Sequence, residues 1–389
     1  MEIAPAAMSE PLRIFCLNYE YPPVGGGGGR IAHRINASLV QRGHSVRVQT
    51  AGLRHLPEHE TVDGVEIFRA QSFRKREDTC TVPEMALYLA TSLLPALRHV
   101  REWRPHVIHA HFAVPTGALA WALSLFTGTP YVLTAHLGDV PGGVPEQTAG
   151  LFRLVQPFTR PIWKRAAEIT AVSTFVADLA ERAYRRRPAV VLNGITLGPR
   201  PEIVVHSPPR LLFVGRLSVQ KNPRLAIQAL ALMADLPWEL HVIGDGPLRA
   251  EMESETQGRG LESRVRYLGW LDSTAVAAEM SQADALLITS LSEGLPMAAI
   301  EALDQGLAII SSRIGGVTDV VEDGVNGTLC DLTPESFAGA LREILSNPAR
   351  LHTLRAESSA HAAHFDLEHS IDRYEAVLRS ASIETNSSR

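Results

Sequence analysis

Short apolar runs rich in β-branched residues alternate along the chain with stretches whose apolar positions recur every three to four residues. In the first half, LRIFCLN (12–18), HSVRVQT (44–50), HVIHAH (106–111), YVLTAH (131–136) and EITAVS (168–173) read as strands. Near-continuous apolar character predicts strands buried on both faces, and therefore a parallel sheet covered by helices. RIAHRINASLVQRG (30–43) and TFVADLAERAY (174–184) have the helical period that such covers need. The pattern breaks at LNGITLGPRPEIVVHSPP (192–209), whose prolines and glycines predict a linker. It resumes with RLLFVGR (210–216), WELHVIG (238–244), VRYLGW (265–270), ADALLITS (283–290) and LAIISSR (307–313), separated by helices that include 223–234 and 296–306. Helices are expected to fill about 333–382, with a frayed end beyond.

A chain of 389 residues exceeds what one hydrophobic core normally serves, and the repeated pattern divides it into two similar units. We place an N-terminal domain at 1–198, a C-terminal domain at 199–365 and a terminal segment at 366–389. The expected fold class is α/β, with two Rossmann-like doubly wound domains facing across a cleft. Such sheets bind ligands outside the carboxyl ends of their strands, where most unusual residues of this sequence fall.

Composition narrows the class. With 45% hydrophobic and 20% charged residues, the chain is globular in character. No apolar run approaches the ~20 residues of a membrane span. MEIAPAAMSEPLR lacks the basic-then-apolar order of a secretory signal. Cys16, Cys80 and Cys330 show no metal or redox spacing, which predicts reduced thiols in a cytoplasmic protein. The net charge of −5 hides an asymmetry: residues 1–198 carry +5 and the remainder −10. Basic groups cluster in RPIWKR (160–165) and RAYRRRP (182–188). They read either as solvated helix ends or as a surface for an anionic acceptor or peripheral membrane contact. No nucleic-acid-binding motif accompanies them, so nucleic acid is not an expected partner.

The candidate chemistry starts at Gly25–Gly29, five glycines between a strand and a helix. G-x-G-x-x-G fails in every register and no G-K-[ST] occurs, so the dinucleotide and P-loop fingerprints are absent. The run permits positive φ and close approach of backbone to a ligand; the plain alternative is a loose turn. In LTAHLGDV (133–140), His136 ends a strand and Asp139 follows it. That histidine can donate a hydrogen bond, act as acid or base, or be a satisfied core residue. His109 and His111 end another strand, but without Cys or carboxylate partners at ligand spacing they do not suggest a metal site. Arg216 and Lys221 in VGRLSVQKNP (214–223) place two cations at a strand end, a diphosphate clamp or a solvated edge. In SLSEGLPMAAIEAL (290–303), Glu293 ends a strand, Pro296 opens a helix, and the N–H groups of Met297 and Ala298 can meet a phosphate. Glu301 sits among apolar neighbours and is expected to be buried with a partner.

The glycine run, TAHLGD, VGRLSVQKNP, IGDGPLR and the E-x7-E stretch EGLPMAAIE together resemble the retaining glycosyltransferase family 4, which has the GT-B fold. The motifs occur in the family's order and span about the whole chain. The resemblance implies that Arg216 and Lys221 hold a donor diphosphate, completed by backbone N–H of Met297 and Ala298. It implies that Glu301 binds ribose hydroxyls and that Glu293 contacts the donor sugar near the reacting carbon. His136 would face that sugar from the first domain, making His136 and Glu293 the catalytic candidates. Gly26, Gly27, Gly28 and Gly29 would let acceptor and phosphate approach, with Asp139 and His111 on the acceptor side. The terminal helix would cross back onto the first domain. Two departures stand out: the glycine run is longer than the family's usual pair, and Leu295-Pro296 replaces a common aromatic-glycine pair.

The expected function is a metal-independent retaining glycosyltransferase moving a sugar from a nucleoside-diphosphate sugar to a hydroxyl acceptor on a glycan, a lipid-linked or a small molecule. No cofactor is expected beyond that co-substrate. No Asp-x-Asp occurs, and fixed cations with helix N–H groups can stabilise a departing diphosphate without a metal. A nucleotide-sugar epimerase, a sugar phosphorylase and a non-catalytic nucleotide-binding protein are the alternatives on the same architecture. The failed fingerprint disfavours a nicotinamide oxidoreductase.

Overall fold

The computed structural model describes residues 10–74 and 80–384. The expected frayed end past 384, and the first residues read for a signal, lie outside the described residues.

The first sheet holds β1 (Arg13–Leu17), β2 (Ser45–Gly52), β3 (His59–Val62), β4 (Val65–Gln71), β5 (Val107–His111), β6 (Tyr131–Ala135), β7 (Glu168–Ala171) and β8 (Ala189–Val190). Their spatial order is β3-β4-β2-β1-β5-β6-β7-β8. Every pairing is parallel except β3 with β4, an edge hairpin. The second sheet holds β9 (Arg210–Val214), β10 (Glu239–Ile243), β11 (Val265–Gly269), β12 (Ala285–Ile288), β13 (Ala308–Ser312) and β14 (Gly327–Cys330), in the order β11-β10-β9-β12-β13-β14 and wholly parallel.

Each strand expected from an apolar run is present within two residues of its expected bounds. The β3–β4 hairpin carries no such run, because β3 is an exposed edge. Its turn is Asp63-Gly64, both at positive φ, the geometry that two-residue hairpins favour.

The chain crosses between domains twice, and the crossings hydrogen-bond to each other: Ile195 N–H to Phe365 O at 2.9 Å and Leu367 N–H to Ile195 O at 2.8 Å. The first helix, α1 (Gly27–Gln41), covers the first sheet beside the terminal helix, which is numbered last below. Two further helices of that domain matter here, α2 (Pro145–Arg165) and α3 (Thr174–Tyr184). In the second domain α4 (Met297–Asp304) follows β12, and α5 (Leu367–Glu384) returns to the first domain. There Leu367, Ile371, Tyr374, Leu378 and Ala381 are buried with Ile14, Val48, Val107 and Val132. Arg42, just past α1, anchors α5 through Glu368 at 2.6 Å and Asp372 at 2.7 Å.

The basic clusters are partly structural. Arg186 donates to the carbonyls of Trp163 at 3.0 Å and Ala166 at 2.6 Å, satisfying the end of α2. Arg187 pairs with Glu181 and Asp178. Arg160 and Lys164 are exposed. No helix among the described residues is long and apolar enough to cross a membrane.

Candidate active site

Three of the five glycines are explained by packing. Gly27–Gly29 form the first turn of α1, not a loop, and only Gly25 has a positive φ, 93°. A Cβ at Gly25 would lie 2.5 Å from Glu20 Cβ, and one at Gly29 would overlap the Glu20 carbonyl oxygen. One at Gly28 would lie 2.9 Å from Phe112 Cζ and 3.7 Å from His136 Cε1. A Cβ at Gly26 or Gly27 meets nothing within 4 Å. The unhindered backbone expected over Gly26–Gly29 is therefore narrower, confined to Gly26 and Gly27 at the uncapped start of α1.

Beyond this turn, β5 and β6 end in an imidazole cluster. The Phe112 ring stacks on His136 with centroids 4.2 Å apart, and Tyr19 meets Phe112 edge-on at 5.3 Å. Phe112 holds φ of 71°, a strained conformation for a residue with a side chain. His136 Nε2 lies 3.4 Å from His111 Nδ1. Asp139 accepts N–H groups from His136 at 2.8 Å and Ala113 at 2.7 Å, tying the two strand ends together. Burial pulls the His136 imidazole down to about 4, so it is neutral near pH 7. Burial pushes the Asp139 carboxyl up to about 7, against backbone donors that favour its charged form.

His111 is fully buried behind His136, and both Asp139 oxygens are taken by backbone N–H groups. In this structure the two residues support His136; neither presents a free group to an acceptor. His109 bonds Thr134 Oγ1 at 2.8 Å and belongs to the core.

The second sheet presents charge. Lys221 Nζ lies 2.6 Å from Glu293 Oε1, which also accepts Ser290 Oγ at 2.6 Å. Gln220 ties the two loops: its carbonyl accepts Leu291 N–H at 2.7 Å and its amide donates to Ser292 O at 3.1 Å. Arg216, half-buried, follows β9, which pairs with β12. At α4, Pro296 precedes Met297, and no side chain caps the N–H groups there. Glu301 differs from expectation. It is half-buried, and its carboxylate makes no hydrogen bond or ion pair among the described residues. Burial raises its carboxyl, opposed by the charges of Arg34 and Arg30 on α1 of the first domain. The charges that balance it belong to the other domain, which a helix read in isolation cannot reveal. Among the described residues no group of three or more His, Cys, Asp or Glu is placed to hold a metal ion.

Two sequence-family descriptions match end to end across both domains: "Glycosyl transferase 4-like domain" over residues 26–194 and "Glycosyl transferases group 1" over residues 200–361. The chain belongs to the group 1 glycosyltransferases. This glycosyltransferase is 29% identical over 365 residues to glycogen synthase of Mycobacterium tuberculosis, covering 87% of each chain. It is 29% identical over 381 residues to 2-deoxystreptamine glucosyltransferase of Streptomyces kanamyceticus, covering 89% of this chain and 97% of that one. Sucrose-phosphate synthase from Thermosynechococcus elongatus superposes with a TM-score of 0.83 at 20% identity, covering 95% and 98% of the two chains, and the fold is GT-B.

In the glycosyltransferase, tertiary structure adds site residues that motif reasoning missed. Phe112 and Ser290 support His136 and Glu293, and the charges of Arg30 and Arg34 act on Glu301. The available signal was position: Phe112 follows a strand end, Ser290 precedes Glu293 by three residues, and Arg30 directly follows the glycines.

Proposed function

We propose that this glycosyltransferase is a retaining enzyme that moves a sugar from a nucleoside-diphosphate sugar to a hydroxyl acceptor without a metal ion. The observation that carries this reading is the Lys221–Glu293–Ser290 cluster, set between Arg216 and the uncapped start of α4. Cations and helix N–H groups at one strand edge suit a diphosphate, and they stabilise the charge it gains on leaving. A bound diphosphate competes with Glu293 for Lys221, which releases the carboxylate to accept sugar hydroxyls. Glu301, with no side-chain partner among the described residues, accepts the ribose diol. His136 donates a neutral hydrogen bond from the opposite side.

The acceptor hydroxyl attacks the anomeric carbon as the bond to diphosphate breaks, and its proton passes to the departing phosphate oxygen. Asp139, beside His136, has both oxygens on backbone N–H groups, which disfavours it as a nucleophile and supports same-face attack. The names of the two relatives, referring to glycogen and to 2-deoxystreptamine, support a hydroxyl-bearing acceptor. The free cysteines support a cytoplasmic setting, with exposed Phe158, Arg160 and Lys164 as the face for an anionic or membrane-borne acceptor.

Titration with UDP, GDP, dTDP and ADP in EDTA, read by thermal midpoint, tests the donor site. One diphosphate at ~100 times its Kd should add about 2.7 kcal/mol of stability. Binding that requires a divalent cation would overturn metal independence, and no binding at all would overturn the donor site.

A further inference from the structure

Close to the candidate catalytic groups, the two domains touch through a seam of glycines. Leu137 follows His136, and Gly294 follows Glu293. A Cβ added at Gly294 would lie 3.0 Å from Leu137 Cβ. Gly315 lies against Phe175 at the start of α3, where a Cβ would overlap the aromatic ring. A Cβ at Gly316 would overlap the Gly294 carbonyl oxygen, and Gly316 N–H donates to Glu293 O at 3.1 Å. None of the three has a positive φ, so close approach, not backbone conformation, demands glycine. Beside them Asp319 accepts Thr174 N–H at 2.8 Å, a carboxylate at the positive end of α3. The backbones carrying His136 and Glu293 thus bear on each other through one packed pair, Leu137 and Gly294.

We propose that Gly294, Gly315 and Gly316, with Leu137, Phe175 and Asp319, are positioning residues that set the gap between His136 and Glu293. The inference rests on the transferase reading above. The groups that the proposed function assigns to the diphosphate, Arg216, Lys221 and the start of α4, lie on the second domain, so widening the gap leaves nucleotide binding intact and slows transfer. A displacement of ~1 Å at a reacting centre can lower a rate about 100-fold.

The test compares turnover with nucleotide affinity in G315A and G294A, and in the size-compensated pairs F175A/G315A and L137G/G294A, glycine being needed at 137 because the contact is with the Leu137 Cβ. G315A should lower kcat ~100-fold with diphosphate affinity unchanged. Removing the opposing side chain in each pair should restore kcat above that of the glycine variant alone. Thermal midpoints of G315A, F175A and the double variant should be non-additive, a readout independent of turnover. Wild-type kcat in G315A and G294A, loss of affinity in step with kcat, or additive behaviour of the pairs would each overturn the proposal. Failure of the wild type to bind any diphosphate would instead defeat the transferase reading, and the midpoint cycle would still report on the seam.

Discussion

The carboxyl edges of the two sheets face each other with opposite chemistry. The first is aromatic, packed and largely neutral: His136 is stacked under Phe112, and three glycines make room for Glu20 and Phe112. The second is charged and built from short contacts, Lys221 to Glu293 and Ser290 to Glu293. Burial accounts for the contrast. Removing an imidazole from water favours its neutral form, whereas the second edge sets its lysine 2.6 Å from a carboxylate. A neutral, rigid edge can direct hydrogen bonds but cannot hold a diphosphate. A cationic edge can hold one, and its internal ion pair satisfies the charges until a ligand arrives.

Lys221→Ala should break this contrast most severely. It removes a cation and leaves Glu293 buried without it, so turnover should fall ~1,000-fold or more with diphosphate affinity reduced. Kinetics and titration on the same protein check this, and near-normal turnover would remove Lys221 from the donor site. His136→Ala sharpens the comparison from the other side. The expected loss is about 100-fold in kcat with nucleotide affinity unchanged. An equal loss of affinity would mean that the two edges do not divide the work.

Gly29→Ala should destabilise the fold by about 1–3 kcal/mol, because its Cβ would overlap the Glu20 carbonyl oxygen. Denaturant unfolding measures it. Acid should act more gradually. Burial lowers His109 to about 3 and His136 to about 4, and lowers His111 in the same direction. Unfolded, each binds a proton below about pH 6.5, so the fold loses stability as pH falls from there towards 4. Asp139, raised to about 7, acts in the opposite sense, since the folded state keeps its proton where the unfolded state has lost it. Glu301, also raised by burial, acts with Asp139, and three imidazoles against two carboxyls leave a net loss in acid, about 1.4 kcal/mol per pH unit for each net proton. Thermal midpoints between about pH 7 and pH 4.5 should therefore fall; a flat or rising profile would show that these imidazoles are not held neutral. The smallest effect belongs to Gly27→Ala, which enters open space at the first turn of α1 and should change stability by less than ~1 kcal/mol. A drop in turnover there would point to ligand approach, not to folding.

Much of the architecture was legible in the amino-acid order because its cause is local. Apolar runs such as 131–136 and 307–313 specify buried strands, and the proline- and glycine-rich 192–209 specifies a crossing. The E-x7-E stretch and the Arg216–Lys221 pair marked the charged edge, since their residues lie within one loop and helix. What the tertiary structure decided involves residues far apart in the chain. Gly29 is a glycine because of Glu20, and Gly315 because of Phe175. Glu301 feels the charge of arginines from another domain. Arg186 serves the end of α2, and His111 lies behind His136 without a free face. Periodicity records whether a side chain is buried; the identity of what covers it depends on how distant segments meet, and that is set only when the chain packs.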